Sequence, residues 1–307
     1  MEEVKVFAPA TVANVACGFD VLGFAINHPG DTVIARKSKG TGLTISAIHN
    51  GEGLSTHPEE NVVTVAVQTF LHYIGSDQAI DFELTKGVKP GSGIGSSAAS
   101  SAAAVVAANY LLGEPLEKKE LVQFAMMGEK LASGTAHADN VAPSVCGGFT
   151  LIRSYEPLDI IKIAAPANLW CTVIHPQLEV KTRDARRVLK GGIDLKKAIT
   201  QWGNVGGLIA GLHQSDYDLI GRSLVDVVIE PIRSILIPGY ADVNEAALKS
   251  GALGCSISGS GPSIFTLCEG KEAAEAVKKA IGEVYEQYGV DYDIHVSPIN
   301  DEGAKLI

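Results

Sequence analysis

The sequence predicts an α+β fold, and three observations carry the prediction. Segments with period-two apolar alternation are interleaved with segments of helical period along the whole chain. A glycine-serine loop, Lys89-Pro90-Gly91-Ser92-Gly93-Ile94-Gly95-Ser96-Ser97, runs unbroken into Ala98, Ala99 and a helix that is small or apolar on every face and must therefore be buried. The last third reads strand, glycine turn, strand, helix, strand, which suggests a two-layer sandwich for that half.

In order, Val4, Val6 and Ala8 alternate as a first strand ended by Pro9. The turn-rich stretch 8–24 places Asn14 and Asp20 among apolar neighbours, where each has to cap backbone or face a ligand. Residues 31–48 form two strands about a turn at 37–42, residues 61–74 repeat at helical spacing, and 80–85 is a strand leading to the glycine loop. The buried helix covers 98–112, and a second with a charged start covers 117–131. Strands at 149–153 and 160–164 close the first half, and Pro166 marks a boundary between domains 1–166 and 167–307. Beyond it come a strand at 169–175, a basic run Lys181-Thr-Arg-Asp-Ala-Arg186-Arg187, and helices at 195–213 and 219–228. A stretch at 230–239 is broken twice by proline, and a helix covers 241–250. Strands flanking a glycine turn occupy 251–267, followed by a helix at 271–288 and a strand at 292–298.

Composition narrows the partners. Of 307 residues, 46% are hydrophobic and 20% charged, ordinary for a folded enzyme, and the net charge of −10 argues against nucleic acid or an anionic membrane as partner. Five cysteines stand singly with no C-x-x-C pair, and the start Met-Glu-Glu-Val-Lys lacks an apolar signal core. The expectation is a cytoplasmic protein with reduced thiols.

The chemistry concentrates in a few segments. Gly91, Gly93 and Gly95 permit backbone angles that point amide hydrogens at an anion; Ser96 and Ser97 fall at N-cap and first-turn positions, and the following helix adds the positive end of its dipole. The loop is a phosphate cradle or a linker; it is neither a Walker loop nor GxGxxG. His137-x-Asp139-Asn140 follows a helix ending near Glu129, so Glu129 with a loop serine could hold Mg²⁺, or could simply be a surface glutamate near an Asp-Asn turn. Gly259-Ser260-Gly261-Pro262 is a second anion-friendly turn or a plain hairpin, and the basic run at 181–187 is a patch or a solvated helix start.

Three segments together carry a resemblance: Ala8-Pro-x-x-x-Ala-Asn14-x-x-x-Gly-Phe-Asp20-x-Leu-Gly23, then Gly91 through Ala99, then Ser258-Gly-Ser-Gly-Pro262. The chain resembles the GHMP small-molecule kinases over essentially its whole length. Within that superfamily His137-Ala-Asp-Asn-Val-Ala-Pro143, Lys181-Thr-x-x-Ala-Arg186 and Glu230-Pro-x-Arg233 are similar to segments of homoserine kinases. Val12 and Cys17 stand where a serine and a proline are often found.

The resemblance implies an N-terminal domain like the second domain of ribosomal protein S5 and a ferredoxin-like C-terminal domain, acting as a homodimer. It implies that ATP phosphates lie on Lys89 to Ala99 with Gly259, Ser260 and Gly261 closing over them, and that Ser97 and Glu129 reach Mg²⁺. Asn14, Asp20, His137, Asp139, Arg186 and Arg233 would surround L-homoserine, with Asp20, Asp139, Asn140 and Arg186 nearest the transferring phosphoryl group. Arginine suits the substrate carboxylate because its planar fork binds it bidentately; Asp20 and Asp139 suit the ammonium or the hydroxyl. The rivals are another kinase of the superfamily and a nucleotide-binding regulator without turnover.

Overall fold

The computed structural model describes residues 1–178 and 192–307. Its first sheet holds β1 (Glu3–Ala13), β2 (Leu22–Lys37), β3 (Leu43–His49) and β4 (Ile80–Thr85) in the order β1-β2-β4-β3, with only β3 and β4 parallel among these neighbours. β5 (Phe149–Tyr155) pairs with the start of β2 and with β6 (Leu158–Ile163). On this sheet lies α2 (Ser96–Leu111), against β1 and β2, and packed on α1 (Val62–Ile74) and α3 (Val122–Ser133), which also pack on each other. Every residue of α2 from Ala98 to Asn109 is buried, as its small apolar composition requires. The approach is close: a Cβ on Gly128 of α3 would come within 2.1 Å of Ser101 Oγ.

The second sheet is antiparallel throughout, in the order β10 (Tyr292–Pro298), β7 (Leu169–Pro176), β9 (Ile264–Glu269), β8 (Ala252–Ile257). Alternation along its strands serves two cores. Cys171, Val173, Phe265 and Leu267 face Phe24 and Phe149 of the first sheet together with Leu208 and Leu212 of α5 (Leu195–Gln214) and Ile220 of α6 (Tyr217–Ser223). Ile174, Ile264 and Cys268 face a layer built from α8 (Tyr240–Lys249) and α9 (Lys271–Tyr288). The two sheets therefore meet through packed aromatic rings, Phe24 standing edge-on to Phe265 at 5.8 Å. The chain end returns to the first sheet, where β11 (Lys305–Leu306) pairs with β1.

Some segments differ from the sequence reading. β1 does not end at Pro9 but passes through a bulge between Pro9 and Thr11, where a residue without an N–H costs no ladder bond. The helix expected at 219–228 stops at Ser223, because the Asp226 carboxylate takes the backbone N–H of Val228, Ile229 and Glu230 and starts a new turn there. Pro231 does not break that turn; it sits in the first turn of α7 (Glu230–Arg233), where proline is tolerated. The short helix α4 (Val141–Cys146), with Pro143 inside it, was not anticipated.

Candidate active site

The glycine loop lies at the joint of the two sheets, and its backbone direction is set from outside. Ser92 C=O accepts from Ser263 Oγ at 2.6 Å, Gly93 C=O from Ser258 Oγ at 2.8 Å, and Ile94 C=O from Thr11 N at 3.1 Å. In a trans peptide the N–H is opposed to the C=O, so these three bonds turn the amides of Gly93, Ile94 and Gly95 the other way. Glycine is required here by space as well as by angle. Gly93 and Gly95 have φ of 81° and 72°, and a Cβ would come within 2.7 Å of Gly261 O at the first and 2.1 Å of Thr11 Oγ1 at the second.

The helix start departs from the sequence reading. Gly95, not a serine, is the N-cap of α2, and no side chain caps it. Ser96 Oγ instead donates to Val88 O at 2.8 Å, and Ser97 Oγ to Glu129 Oε2 at 2.6 Å. The first-turn amides of a buried helix are thereby left to whatever anion sits beyond them.

Beside this loop opens a cavity of about 390 Å³. It gathers most of the residues singled out in the sequence: Pro90, Gly91, Gly93, Gly95, Ser96 and Ser97 on one wall, Glu129, His137, Asp139 and Asn140 on another, and Asn14, Asp20, Arg233, Gly259 and Ser260 opposite. Ser92, Ile94, Ala98 and Ala99 are buried behind the loop, and Gly261 shapes the facing turn without lining the cavity. Lys89 points away, paired with Asp293 at 2.8 Å on the surface. Arg186, with the rest of the basic run at 181–187, lies outside the described residues.

Asn14 settles the choice between cap and ligand in an unexpected way. Its side chain accepts from Asp20 N at 3.0 Å and donates to Gly259 O at 2.7 Å, bracing the first turn against the second glycine turn. Asp20, with φ of 59°, has its carbonyl held by Tyr155 OH and its carboxylate 3.8 Å from His137 Nδ1. Arg233 is buried, stacks 5.0 Å over the Phe19 ring and donates to Gly259 O at 3.1 Å.

Four carboxyl side chains line the cavity, Asp20, Glu60, Glu129 and Asp139, and the surroundings of two of them, Glu129 and Asp139, favour the protonated form. Burial above all, then the charges of Asp20 and Glu129, pushes Asp139 up to about 7. Glu129 is also raised by burial, its hydrogen bond from Ser97 working against that. A hydroxyl and a carboxylate oxygen 2.6 Å apart, at the head of a phosphate-type loop, are hard donors that suit Mg²⁺ sharing its shell with phosphate oxygens and water. No cluster of three or more His, Cys, Asp or Glu side chains fit for a metal occurs among the described residues, so phosphate and water would have to complete the shell.

Sequence reasoning missed residues that act from behind. Lys86 lines the cavity and is paired with Asp31, both buried; Lys86 Nζ also donates to Ser96 O and Ser100 Oγ at 2.9 Å. Asp31 additionally accepts from Gly87 N, Val88 N and Ser100 Oγ. Asn61, which caps α1 by accepting from Val63 N, lines the cavity too. Only the position of Asn61 ahead of a helical repeat offered a signal, and that signal reads as capping.

Two family models match the chain. The GHMP kinases N terminal domain matches residues 61–148 and the GHMP kinases C terminal matches 208–287. The chain belongs to the GHMP kinases. It has their two-domain α+β fold, and the family's N-terminal match spans the glycine loop, Glu129 and the Asp139-Asn140 pair. A homoserine kinase of Chlorobium phaeobacteroides is 54% identical over 321 aligned residues, covering all of both chains. One from Chlorobaculum tepidum is 51% identical, covering all of this chain and 99% of its own. The crystal structure of homoserine kinase from Cytophaga hutchinsonii superposes with a TM-score of 0.97 at 53% identity, over 100% of this chain and 98% of that one.

Because Ser97 is not the cap, its loss should touch function more than folding. Ser97→Ala is expected to lower turnover by roughly ten- to a hundredfold with little change in Tm. Paired kinetic and melting measurements check this, and an equal loss in both would return Ser97 to a structural role.

Proposed function

We propose that this protein is a homoserine kinase, transferring the γ-phosphoryl group of ATP to the side-chain hydroxyl of L-homoserine to give O-phospho-L-homoserine, on the route to threonine. The observation that supports it most is identity above one half, over complete chains, with proteins named homoserine kinase, joined to a cavity lined by the glycine loop together with Asn14, Asp20, Asp139 and Arg233.

On this reading the amides of Gly93, Ile94 and Gly95 and the first turn of α2 hold the ATP phosphates, with Gly259 and Ser260 facing them. Ser97 and Glu129 hold Mg²⁺, which when bound neutralises phosphate charge. Arg233 and Arg186 take the substrate carboxylate; Asp20, with His137 beside it, takes the ammonium. Asp139 and Asn140 orient the hydroxyl. Phosphoryl transfer passes through a loose transition state with little bonding to the nucleophile, so positioning and charge neutralisation supply most of the acceleration and no strong base is needed. A carboxyl that burial raises to about 7, so that it still carries its proton about half the time at neutrality, suits that positioning role. The working units are residues 1–166 and 167–307, with Lys305–Leu306 lent back to the first sheet. The homodimer and the cytoplasmic setting are proposed from the family resemblance; the observation alongside them is that no helix among the described residues is long and apolar enough to cross a membrane.

The test is ADP release from ATP and Mg²⁺ with L-homoserine, mevalonate, galactose or no acceptor. Turnover with L-homoserine alone is expected. Activity on mevalonate without activity on homoserine overturns the assignment, and ATP binding without turnover on any acceptor points to a regulator.

A further inference from the structure

We infer that Gln201 and Asp226, which the cavity does not include, are positioning residues for the acceptor half of the site, setting the span between the turn that carries Asn14 and Asp20 and the helix that carries Arg233. The inference rests on the homoserine kinase reading of that half.

Gln201 sits partly buried on α5 and uses both ends of its amide. Nε2 donates to Cys17 O and to Asp226 Oδ1, each at 2.9 Å, while Oε1 accepts from Val227 N at 3.0 Å. One side chain thus bolts the turn following β1 to the segment preceding α7. Each bolted segment runs directly into acceptor-side groups. Cys17 lies between Asn14 and Asp20 on a turn where Asn14, Val15, Ala16 and Asp20 all have positive φ, a backbone that needs outside bonds to persist.

On the other side, the buried Asp226 carboxylate accepts from Val228 N at 2.8 Å, Ile229 N at 3.0 Å and Glu230 N at 2.8 Å, satisfying the amides that open α7. That helix is a single turn ending in Arg233, whose own N–H bonds back to Ile229 O. Four residues carry no helical stability of their own, so the direction of Arg233 depends on how its first turn is held. Among the described residues, none of the hydrogen-bond partners of Gln201 or Asp226 belongs to 89–97. The nucleotide wall is held by Ser258, Ser263, Thr11 and Lys86 instead. Asn14 and Arg233 both meet Gly259 O, so the second glycine turn would follow them, but loosening the bolt should move the acceptor groups relative to one another and leave the loop 89–97, which carries the phosphate-facing amides, in place.

The test is steady-state kinetics and melting of Gln201→Leu and Gln201→Glu, the second keeping the shape and the bond from Val227 while setting a carboxylate against Asp226 and Cys17 O. Wild-type turnover of L-homoserine is measured first; its absence would fail the functional reading before any variant is compared. Given that turnover, both variants are expected to raise KM for L-homoserine by about tenfold or more while KM for ATP stays within about twofold and Tm within a few degrees. An unchanged homoserine KM in either variant overturns the inference. So does a parallel rise in both KM values, or an effect that follows the loss of Tm, since each would make the bolt a general structural element.

Discussion

Lys86→Met is expected to destabilise the protein by about 3–5 kcal/mol, the usual result of leaving one member of a buried ion pair alone. Burial, the largest effect, pulls the Lys86 ammonium below its usual range, and the Asp31 carboxylate works against that pull. Removing it strands a carboxylate under the phosphate loop with only Gly87 N, Val88 N and Ser100 Oγ to satisfy it. Urea denaturation of Lys86→Met, Asp31→Asn and the double variant checks this. The double should recover a good part of the loss, because it removes the unpaired charge, whereas simple additivity of the two single losses would show that the pair is not coupled. Recovery of stability need not restore turnover: Lys86 also holds Ser96 O, and with it the first turn of α2.

The second large effect concerns Asp139, and its sign is opposite to that of a salt-bridged aspartate. The folded protein keeps the Asp139 proton up to about 7, whereas an aspartate in the unfolded chain releases it at about 4. Between about pH 4 and pH 7 the folded state therefore binds more protons than the unfolded one, and stability falls as pH rises, levelling off above 7. Asp139→Asn removes that slope. In buffer with chelator and no nucleotide, the variant is expected to gain up to about 4 kcal/mol on wild type between pH 4 and pH 8, read from urea midpoints. An identical pH profile in the two proteins would mean that Asp139 titrates in the fold as it does in the unfolded chain. Kinetics of the same variant addresses mechanism. Retention of about a tenth or more of turnover fits a positioning role, whereas a fall of about 10² to 10⁴ with fold and homoserine affinity intact would make Asp139 a general base.

How far the sequence revealed this site depended on what each residue interacts with. Gly91, Gly93 and Gly95 were legible because their role is local: the residue type itself reports the backbone angle. The buried α2 was legible for a similar reason, since a helix with no polar face has no way to meet solvent. Ser96 was misread as a cap, because propensity describes an isolated helix end and could not show that Val88 O would claim its hydroxyl. Lys86 and Asp31 stand 55 positions apart, and Gln201 lies 184 from Cys17; partners that distant leave no periodicity or spacing to read. Asn14 shows the middle case. Its burial needed a partner and the sequence said so, but both capping and ligand contact were open until the structure put Gly259 within reach.

The hydroxyls of Ser258 and Ser263 have a consequence for how the protein could be divided. They belong to one sheet, and the carbonyls they hold, Gly93 and Ser92, belong to the loop of the other. Neither half alone sets the direction of the loop. A chain cut near residue 166 would keep every glycine of the loop and the bond from Thr11 N that sets the Gly95 amide, yet water would hydrate those two carbonyls from any direction and the amides of Gly93 and Ile94 would lose what fixes their direction. On the proposed reading of the loop, phosphate recognition would be a property of the seam, and reassembly of the halves would have to precede it.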